Sequence, residues 1–187
     1  MKAILTGFVV VFVSLVISGC NSTEPKKAKG QQLLKEIKEI SQKAFDNMGS
    51  EDIMPTMMKL NERKKNFPDG RDEIEQDAEI VQKFFGRRIG EDIDIVTKFE
   101  GLLALGLVQP EADCITSCIN LHKVMIERSE LVRQELDLLF DENIEDKGTL
   151  ESRSRAVRKK QSDANKRASQ METEKARKCS KAMLGIE

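Results

Sequence analysis

The sequence contains no tryptophan and no tyrosine, and its aromatic content is only 4%. Surfaces that bind sugars or peptides often use these two side chains as amphipathic platforms. Their absence argues against a carbohydrate-binding module. The formal net charge is −1, so the chain as a whole has no excess of positive charge with which to hold nucleic acid. We predict no nucleic-acid partner.

Histidine is nearly absent, since His122 is the only one. A Ser-His-Asp or Cys-His catalytic site would have to be built around it, and no G-x-S-x-G or comparable motif accompanies it. Paired carboxylates carry no information in a chain with 32 acidic residues. We predict no enzymatic activity, no cofactor and no metal. An enzyme centred on His122 remains as a minor alternative.

The N-terminal segment has the layout of a secretory signal peptide, with Lys2 before an uncharged apolar run from Ile4 to Ile17. The residues Ile17-Ser18-Gly19-Cys20 resemble the lipobox of bacterial lipoproteins, which runs aliphatic, small, small, cysteine. The resemblance implies that residues 1–19 are cleaved off and that Cys20 is acylated and holds the protein to a membrane. An uncleaved transmembrane anchor is the alternative, but the apolar run is shorter than the roughly 20 residues needed to span hydrocarbon.

Asn21 follows the predicted lipidation site. By resemblance to enterobacterial sorting, the absence of aspartate there favours the outer membrane over retention at the inner one. We therefore expect a lipid-anchored protein of the cell envelope. Residues 20–30 are predicted to be the acylated cysteine and a flexible polar tether, and residues 31–187 a single helical domain.

Beyond the tether, apolar residues recur at helical spacing, and we find no strand pattern. This predicts an all-α fold, a bundle of five or six helices ending in a long antiparallel helical hairpin. Residues 89–108 are the most apolar part of the mature chain and are predicted to be a core helix rather than one that dips into the membrane. A heptad-like seam predicts a long helix from Pro110 to about Phe140. Thr149 is predicted to cap the last helix, which reaches about Met183.

Acylation of the first cysteine leaves Cys114, Cys118 and Cys179, and export to an oxidising compartment favours disulfides. In an antiparallel hairpin that turns near residue 145, Cys179 comes within a turn or two of both other cysteines. We predict a disulfide from Cys179 to Cys114 or Cys118, with a Cys114–Cys118 bridge as the alternative. A zinc site that adds His122 is disfavoured, because residues i and i+8 of a helix lie about 12 Å apart along its axis.

The last predicted helix carries a cluster of basic side chains. One interpretation is a solvated face that pairs with neighbouring acidic residues. The functional interpretation is contact with anionic lipid head groups or an acidic partner. The surface-binding candidates are Arg153, Arg155, Arg158, Lys159, Lys160, Lys166 and Arg167.

The predicted function is that of a lipid-anchored, non-enzymatic adaptor that binds another envelope protein or a second copy of itself. The thin apolar stripe of the last helix, the spare cysteine and the group Met54, Met57 and Met58 motivate this prediction, since methionine-rich surfaces adapt to partners. The alternative is a binder of anionic envelope surfaces (phospholipid, lipopolysaccharide or cell wall) through the basic helix.

Overall fold

The computed structural model describes residues 24–50, 53–107 and 109–184. Within these ranges the chain forms five α-helices and one short 3-10 turn, and it has no strand. The predicted all-α fold is therefore confirmed. The elements are α1 (Glu24–Ser50), α2 (Ile53–Arg63), the 3-10 turn (Lys64–Asn66), α3 (Arg71–Leu103), α4 (Gln109–Asp137) and α5 (Lys147–Leu184).

The contacts divide the chain into two compact units, where the sequence predicts a single domain. Of the described residues, unit 1 takes 24–43, 92–107, 109–123 and 168–184, and unit 2 takes 44–50, 53–91 and 124–167. The long helices α3, α4 and α5 contain 33, 29 and 38 residues and contribute a segment to each unit. A helix rises about 1.5 Å per residue, so each of them is longer than the roughly 30 Å of a small domain. One helix can therefore contribute buried side chains to both units.

The apolar stretch predicted as a separate core helix belongs to the much longer α3. Its buried side chains include Ile95, Phe99 and Leu102, whereas Ile93 is 48% exposed. The helix ends at Leu103, and in the turn that follows Gly106 adopts a left-handed conformation at φ 80°, which a glycine reaches without steric cost. In the described part of the chain, no helix combines the length and apolar character required to cross a membrane.

The structure corrects the predicted tether, because α1 begins at Glu24 and residues 24–30 are helical rather than flexible coil. Pro25 lies in the first turn, where the missing N–H of proline costs nothing. Gly30 is buried, and a Cβ added there would lie 3.3 Å from Leu105 Cδ1. Glycine at this position permits a close approach within unit 1 and does not act as a hinge.

Unit 2 is built around large apolar side chains. The core is closed at one end by the loop between α4 and α5, which contributes the fully buried Ile144. Met57 and other half-buried apolar side chains pack against this core. The buried residues of this cluster are Leu60, Phe67, Ile74, Ala78, Val81, Leu136, Leu139, Ile144 and Leu150.

Arg71 organises the loop between α4 and α5. Its guanidinium donates to the carbonyl of Asp141 at 2.8 Å and to that of Ile144 at 3.2 Å. The same side chain donates through Nε to Glu75 at 2.8 Å. Carbonyls just past a helix end have no intrahelical partner, and the several donors of arginine can satisfy more than one of them. One side chain therefore holds the loop against the core.

Helix α5 starts two residues before its predicted cap. The side chain of Asp146 accepts hydrogen bonds from the Thr149 hydroxyl at 2.6 Å and from the Thr149 backbone N–H at 2.9 Å. These bonds hold the pKa of Asp146 below its ordinary value. Aspartate and threonine are both favoured N-cap residues. The sequence alone could not rank two such residues three positions apart, and the prediction of Thr149 was wrong.

Candidate functional site

Three cysteines lie together in unit 1. Cys114 of α4 and Cys179 of α5 form a disulfide, with their Cα atoms 4.6 Å apart. Cys118 is one turn further along α4 and is a free thiol. Its sulfur lies within 4.8 Å of both bridged sulfurs. The predicted disulfide from Cys179 is confirmed, and of the two partners left open the structure selects Cys114.

The buried side chains that α5 contributes to unit 1 include small ones. Ala168 is 3% exposed and Cys179 is 1% exposed, while Met171 is only half-buried. Small residues let two helices approach closely, but they remove little apolar area from water. A disulfide that closes a separation of 65 residues stabilises the fold by about 4 kcal/mol on the chain-entropy model. The disulfide therefore adds stability that the small apolar area buried by this segment does not provide.

The free thiol is half-buried rather than displayed on the surface. Burial raises the pKa of Cys118 to about 11, and the ammonium group of Lys175 on α5 only partly opposes this rise. A thiol with such a pKa is protonated at neutral pH, and the thiolate is the form that attacks disulfides and binds metals. Cys118 is therefore poorly suited to an intermolecular disulfide in the conformation described.

The three sulfurs are near enough to one another to be considered as metal ligands. In the disulfide form only Cys118 could supply a thiolate, whereas zinc sites generally use three or four ligands. His122 does not belong to this group, because its Nδ1 lies 2.7 Å from Asp92 Oδ1. The described residues therefore do not form a ligand set of three cysteines and a histidine, which is the zinc site that the helical spacing disfavours.

The imidazole of His122 is paired with a buried carboxylate. The side chain of Asp92 is 3% exposed and that of His122 is 26% exposed. Since a carboxylate accepts hydrogen bonds, Nδ1 of His122 carries the proton and donates it. A histidine held in one tautomer can act as a general base through its other nitrogen. The same pair also provides the hydrogen bond that a buried carboxylate requires.

The basic candidates of α5 fall into two groups. Four of the seven form ion pairs, which agrees with the interpretation of a solvated, paired face for those four. The other three are exposed and make no ion pair with any described residue. The paired residues are Arg153 with Asp141, Arg158 with Glu135, Lys166 with Asp163 and Arg167 with Glu127. The unpaired ones are Arg155, Lys159 and Lys160.

Glu135 is the centre of a polar network that the sequence did not reveal. Its carboxylate accepts from Arg158 at 2.9 Å, from Gln161 at 3.1 Å and from Lys64 at 3.3 Å. Burial alone would raise the pKa of Glu135, but these partners, Lys64 foremost, outweigh burial and hold the pKa below its ordinary value. The network joins α4, α5 and the 3-10 turn within unit 2. No sequence pattern relates residues so far apart.

The methionine group is split by the fold. Met54 and Met58, one turn apart on α2, are 60% and 66% exposed. Met57 instead packs against the core of unit 2. Residues i and i+4 share one face of a helix, so the two exposed thioethers form a small apolar patch. Met57 is therefore excluded from the proposed binding surface.

The predicted lipidation site, Cys20, and the lipobox around it lie outside the described residues. Comparison of the chain with protein-family models, with curated proteins and with solved structures finds no match. The candidate sites thus rest on this chain's own residues: the cysteine cluster of unit 1, and the exposed methionines and unpaired basic residues of unit 2.

Proposed function

We propose that the protein is a lipid-anchored, non-enzymatic cell-envelope protein that serves as an adaptor for another envelope protein. The observation that carries the cell-envelope location in this proposal is the disulfide between Cys114 and Cys179. Disulfides form and persist in exported proteins and are rare in the cytosol. An exported chain that begins with a signal-peptide layout and the lipobox-like residues 17–20 has a direct route to the membrane.

The anchor follows from the chemistry of lipidation. A single acyl chain holds a protein only marginally, whereas two chains give stable attachment. Diacylation of Cys20 would meet that requirement and would fix the protein to the envelope, with the outer membrane favoured. The chain itself then needs no membrane-spanning helix in order to stay at the membrane.

The proposed contact with the partner is the patch formed by Met54 and Met58. Methionine is unbranched and polarisable, so its side chain adapts to an irregular apolar surface. The exposure of both thioethers leaves apolar area that a partner could remove from water. The partner that fits is an envelope protein with an apolar groove that accepts one face of a helix.

The anchor is tested by growing cells with an alkyne-labelled fatty acid and measuring the label on the purified protein. We expect label on the wild type and none on the Cys20→Ser variant. Cys118→Ser is the matched control, because it makes the same chemical change at a cysteine that we expect to be unacylated. Label that persists in Cys20→Ser, or is missing from the wild type, would rule out the lipid anchor.

The contact is tested by placing a photo-crosslinking amino acid at position 58 in living cells. We expect one defined adduct with an envelope protein, identified by mass spectrometry. Lys83, whose side chain is 73% exposed in the same unit, is the control position and should give no such adduct. Adducts only with a second copy of the chain would indicate self-association. No adduct at position 58 in the membrane fraction would contradict an adaptor role for this patch.

A second candidate function is contact with anionic phospholipid, lipopolysaccharide or cell wall through α5. The observation that favours it is the exposure of Arg155, Lys159 and Lys160 without an ion pair within the described chain. A basic residue near an anionic membrane surface contributes about 1 kcal/mol. The four paired basic residues are less available, because their charge is already neutralised locally.

This candidate is tested with vesicles of anionic lipid, in a Cys20→Ser background so that no acyl anchor contributes. The double reversal Lys159→Glu/Lys160→Glu should weaken binding about thirtyfold or more, because each of the two positive charges removed contributes about 1 kcal/mol. The control is Lys38→Glu/Lys43→Glu, two exposed lysines of α1, with the same change in net charge. Equal loss in both variants would show that net charge, and not this face of α5, governs binding.

A further inference from the structure

Cys179 faces two cysteines rather than one. Cys114 and Cys118 occupy successive turns of α4, and all three sulfurs lie within 4.8 Å of one another. Non-bonded heavy atoms rest at about 3.5–4.0 Å, so a movement of about 1 Å would bring the Cys118 sulfur against the disulfide. We propose that these residues form an intramolecular exchange site, in which Cys179 is bridged alternately to Cys114 and to Cys118.

The exchange needs no external oxidant or reductant. The Cys118 thiol loses its proton, and the resulting thiolate attacks the sulfur of Cys179. The Cys118–Cys179 bond forms as the Cys114–Cys179 bond breaks, and the bonding electrons leave with the Cys114 sulfur. Cys114 then takes up one proton. One disulfide and one thiol are present before and after the step, as in all thiol–disulfide exchange.

Cys179 is the sulfur that both others share. Attack on Cys114 would instead produce a bridge between Cys114 and Cys118 within α4. Residues i and i+4 of a helix have Cβ atoms about 5–6 Å apart, whereas a disulfide requires about 3.5–4.5 Å. That bridge would distort the helix, so the exchange is directed to Cys179. In either of the two remaining states, α4 and α5 stay covalently linked.

Burial controls the rate of the exchange. The pKa of Cys118 is raised to about 11 by burial; of the charged groups around it, Lys175 on the facing helix α5 acts on this pKa, and it lowers it. At pH 7 only about one thiol in ten thousand is then ionised, and exchange proceeds through the thiolate. The exchange is slow while packing keeps the Cys118 thiol buried and protonated. It becomes faster as the fraction of thiolate rises. While the bridge is between Cys118 and Cys179, the thiol is at Cys114, and a reaction that consumes this thiol leaves α4 and α5 linked.

The first experiment uses the full chain purified from an oxidising compartment and counts free thiols by mass spectrometry without reductant. Cys114→Ser should still contain a disulfide, now between Cys118 and Cys179. Cys118→Ser is the matched control and should keep the bridge seen in the structure. A helical, soluble Cys114→Ser protein with free thiols at both Cys118 and Cys179 would overturn the proposal.

The second experiment uses the wild-type protein and does not depend on any variant folding. The protein is incubated at pH 7 to 10, the exchange is stopped with acid, and the free thiol is alkylated after unfolding and located by fragment ions. We expect label on Cys118 at the start and a growing fraction on Cys114. Its rate should rise about tenfold for each pH unit, because the thiolate fraction does so below the pKa.

Three results of the second experiment would refute the exchange site. The label could remain on Cys118 at every pH, which would mean that the sulfurs cannot meet in the folded chain. It could appear on Cys179, which would mean that Cys114 and not Cys179 is the sulfur attacked. The rate could increase with protein concentration, which would make the exchange intermolecular.

Discussion

Helix α5 is held in unit 1 and in unit 2 by different means. In unit 2 it contributes Leu150 to a core of large apolar side chains, and Arg158 and Gln161 bond to the carboxylate of Glu135. In unit 1 its buried residues include Ala168 and Cys179, and the disulfide joins it to α4. Where a helix presents side chains too small to bury much area, a covalent bond provides the stability that packing does not.

The two units also differ in the partners of their carboxylates. In unit 2, Glu135 gathers three partners from two other elements. In unit 1, the carboxylate of Asp92 has the imidazole of His122 as its neighbour at 2.7 Å. A network that joins several elements stabilises all of them together, whereas a single pair acts between two helices only. Removing one residue of the Glu135 network should therefore destabilise more elements than removing one residue of the Asp92–His122 pair.

The largest expected effect is that of Cys179→Ser, because this variant can form neither of the two interhelical bridges. We expect the free energy of unfolding to fall by about 4 kcal/mol on the chain-entropy model. Hydrogen exchange should lose protection in peptides from residues 109–123 and 168–184 more than in peptides from the core of unit 2. Cys118→Ser is the control. Equal loss of protection throughout the described chain would remove the distinction between the units.

Leu139→Ala should produce the converse pattern. Leu139 is fully buried in the core of unit 2, and removing such a side chain costs about 3 kcal/mol through lost burial and the cavity left behind. Protection should decrease in peptides from residues 132–150, and the disulfide-linked segments should keep theirs. Ile80→Ala, at a residue 48% exposed in the same unit, should change stability by less than about 0.5 kcal/mol. A large effect of the exposed substitution would place an unrecognised contact at that face.

Glu135→Gln should destabilise unit 2 at neutral pH by about 1–2 kcal/mol, since it leaves the side chain of Lys64, which is 12% exposed, without its charged partner. The pKa of Glu135 is lower in the folded state than its ordinary value of 4.5. Its stabilising contribution is therefore present above that value and is lost as the pH falls through the folded-state pKa.

Urea unfolding at pH 7 and at pH 3 measures this difference. The gap between wild type and Glu135→Gln should be largest at pH 7 and should narrow at pH 3. Glu79→Gln, at a carboxylate 59% exposed in an i,i+4 pair with Lys83, serves as the control and should show little effect at either pH. A gap that does not depend on pH would mean that the glutamate acts through its shape and not its charge.

The smallest effects come from two helical glycines. Gly90 in unit 2 has no atom within 4 Å of an added Cβ, whereas at Gly30 in unit 1 the methyl group of Leu105 is 3.3 Å away. Gly90→Ala should stabilise the protein by about 0.5–1 kcal/mol through helix propensity. Gly30→Ala should gain less or destabilise, as measured by thermal unfolding. An equal gain at both positions would show that the close approach at Gly30 is not needed.

Several features of the fold could be predicted because they depend on residues close together in the chain. The helical periodicity of apolar positions predicts the all-α fold, and the symmetry of an antiparallel hairpin brings Cys179 level with the cysteines of α4. The errors lie where one local rule competed with another. Proline and glycine suggested a tether at 21–30, yet a first-turn proline and a closely packed glycine are both compatible with α1.

The candidate sites were predictable to different degrees. The disulfide was predicted to within one turn of helix, and the basic residues of α5 were identified as a group. The neutralisation of Arg153, Arg158, Lys166 and Arg167 could be suggested but not assigned from sequence, because three of their four partners lie on other elements or loops. The network at Glu135 and the pairing of Asp92 with His122 had no local signal.

The sequence by itself determined that the described chain is helical and that Cys179 would meet α4 near two cysteines, because helix formation and hairpin register follow from spacing along the chain. Only the tertiary structure decided that Cys114 holds the disulfide while Cys118 keeps its thiol, and that Lys159 stays unpaired while Arg158 does not. The reason is physical: one turn of helix is about 5.4 Å, and a choice on that scale depends on how side chains from distant segments pack against one another.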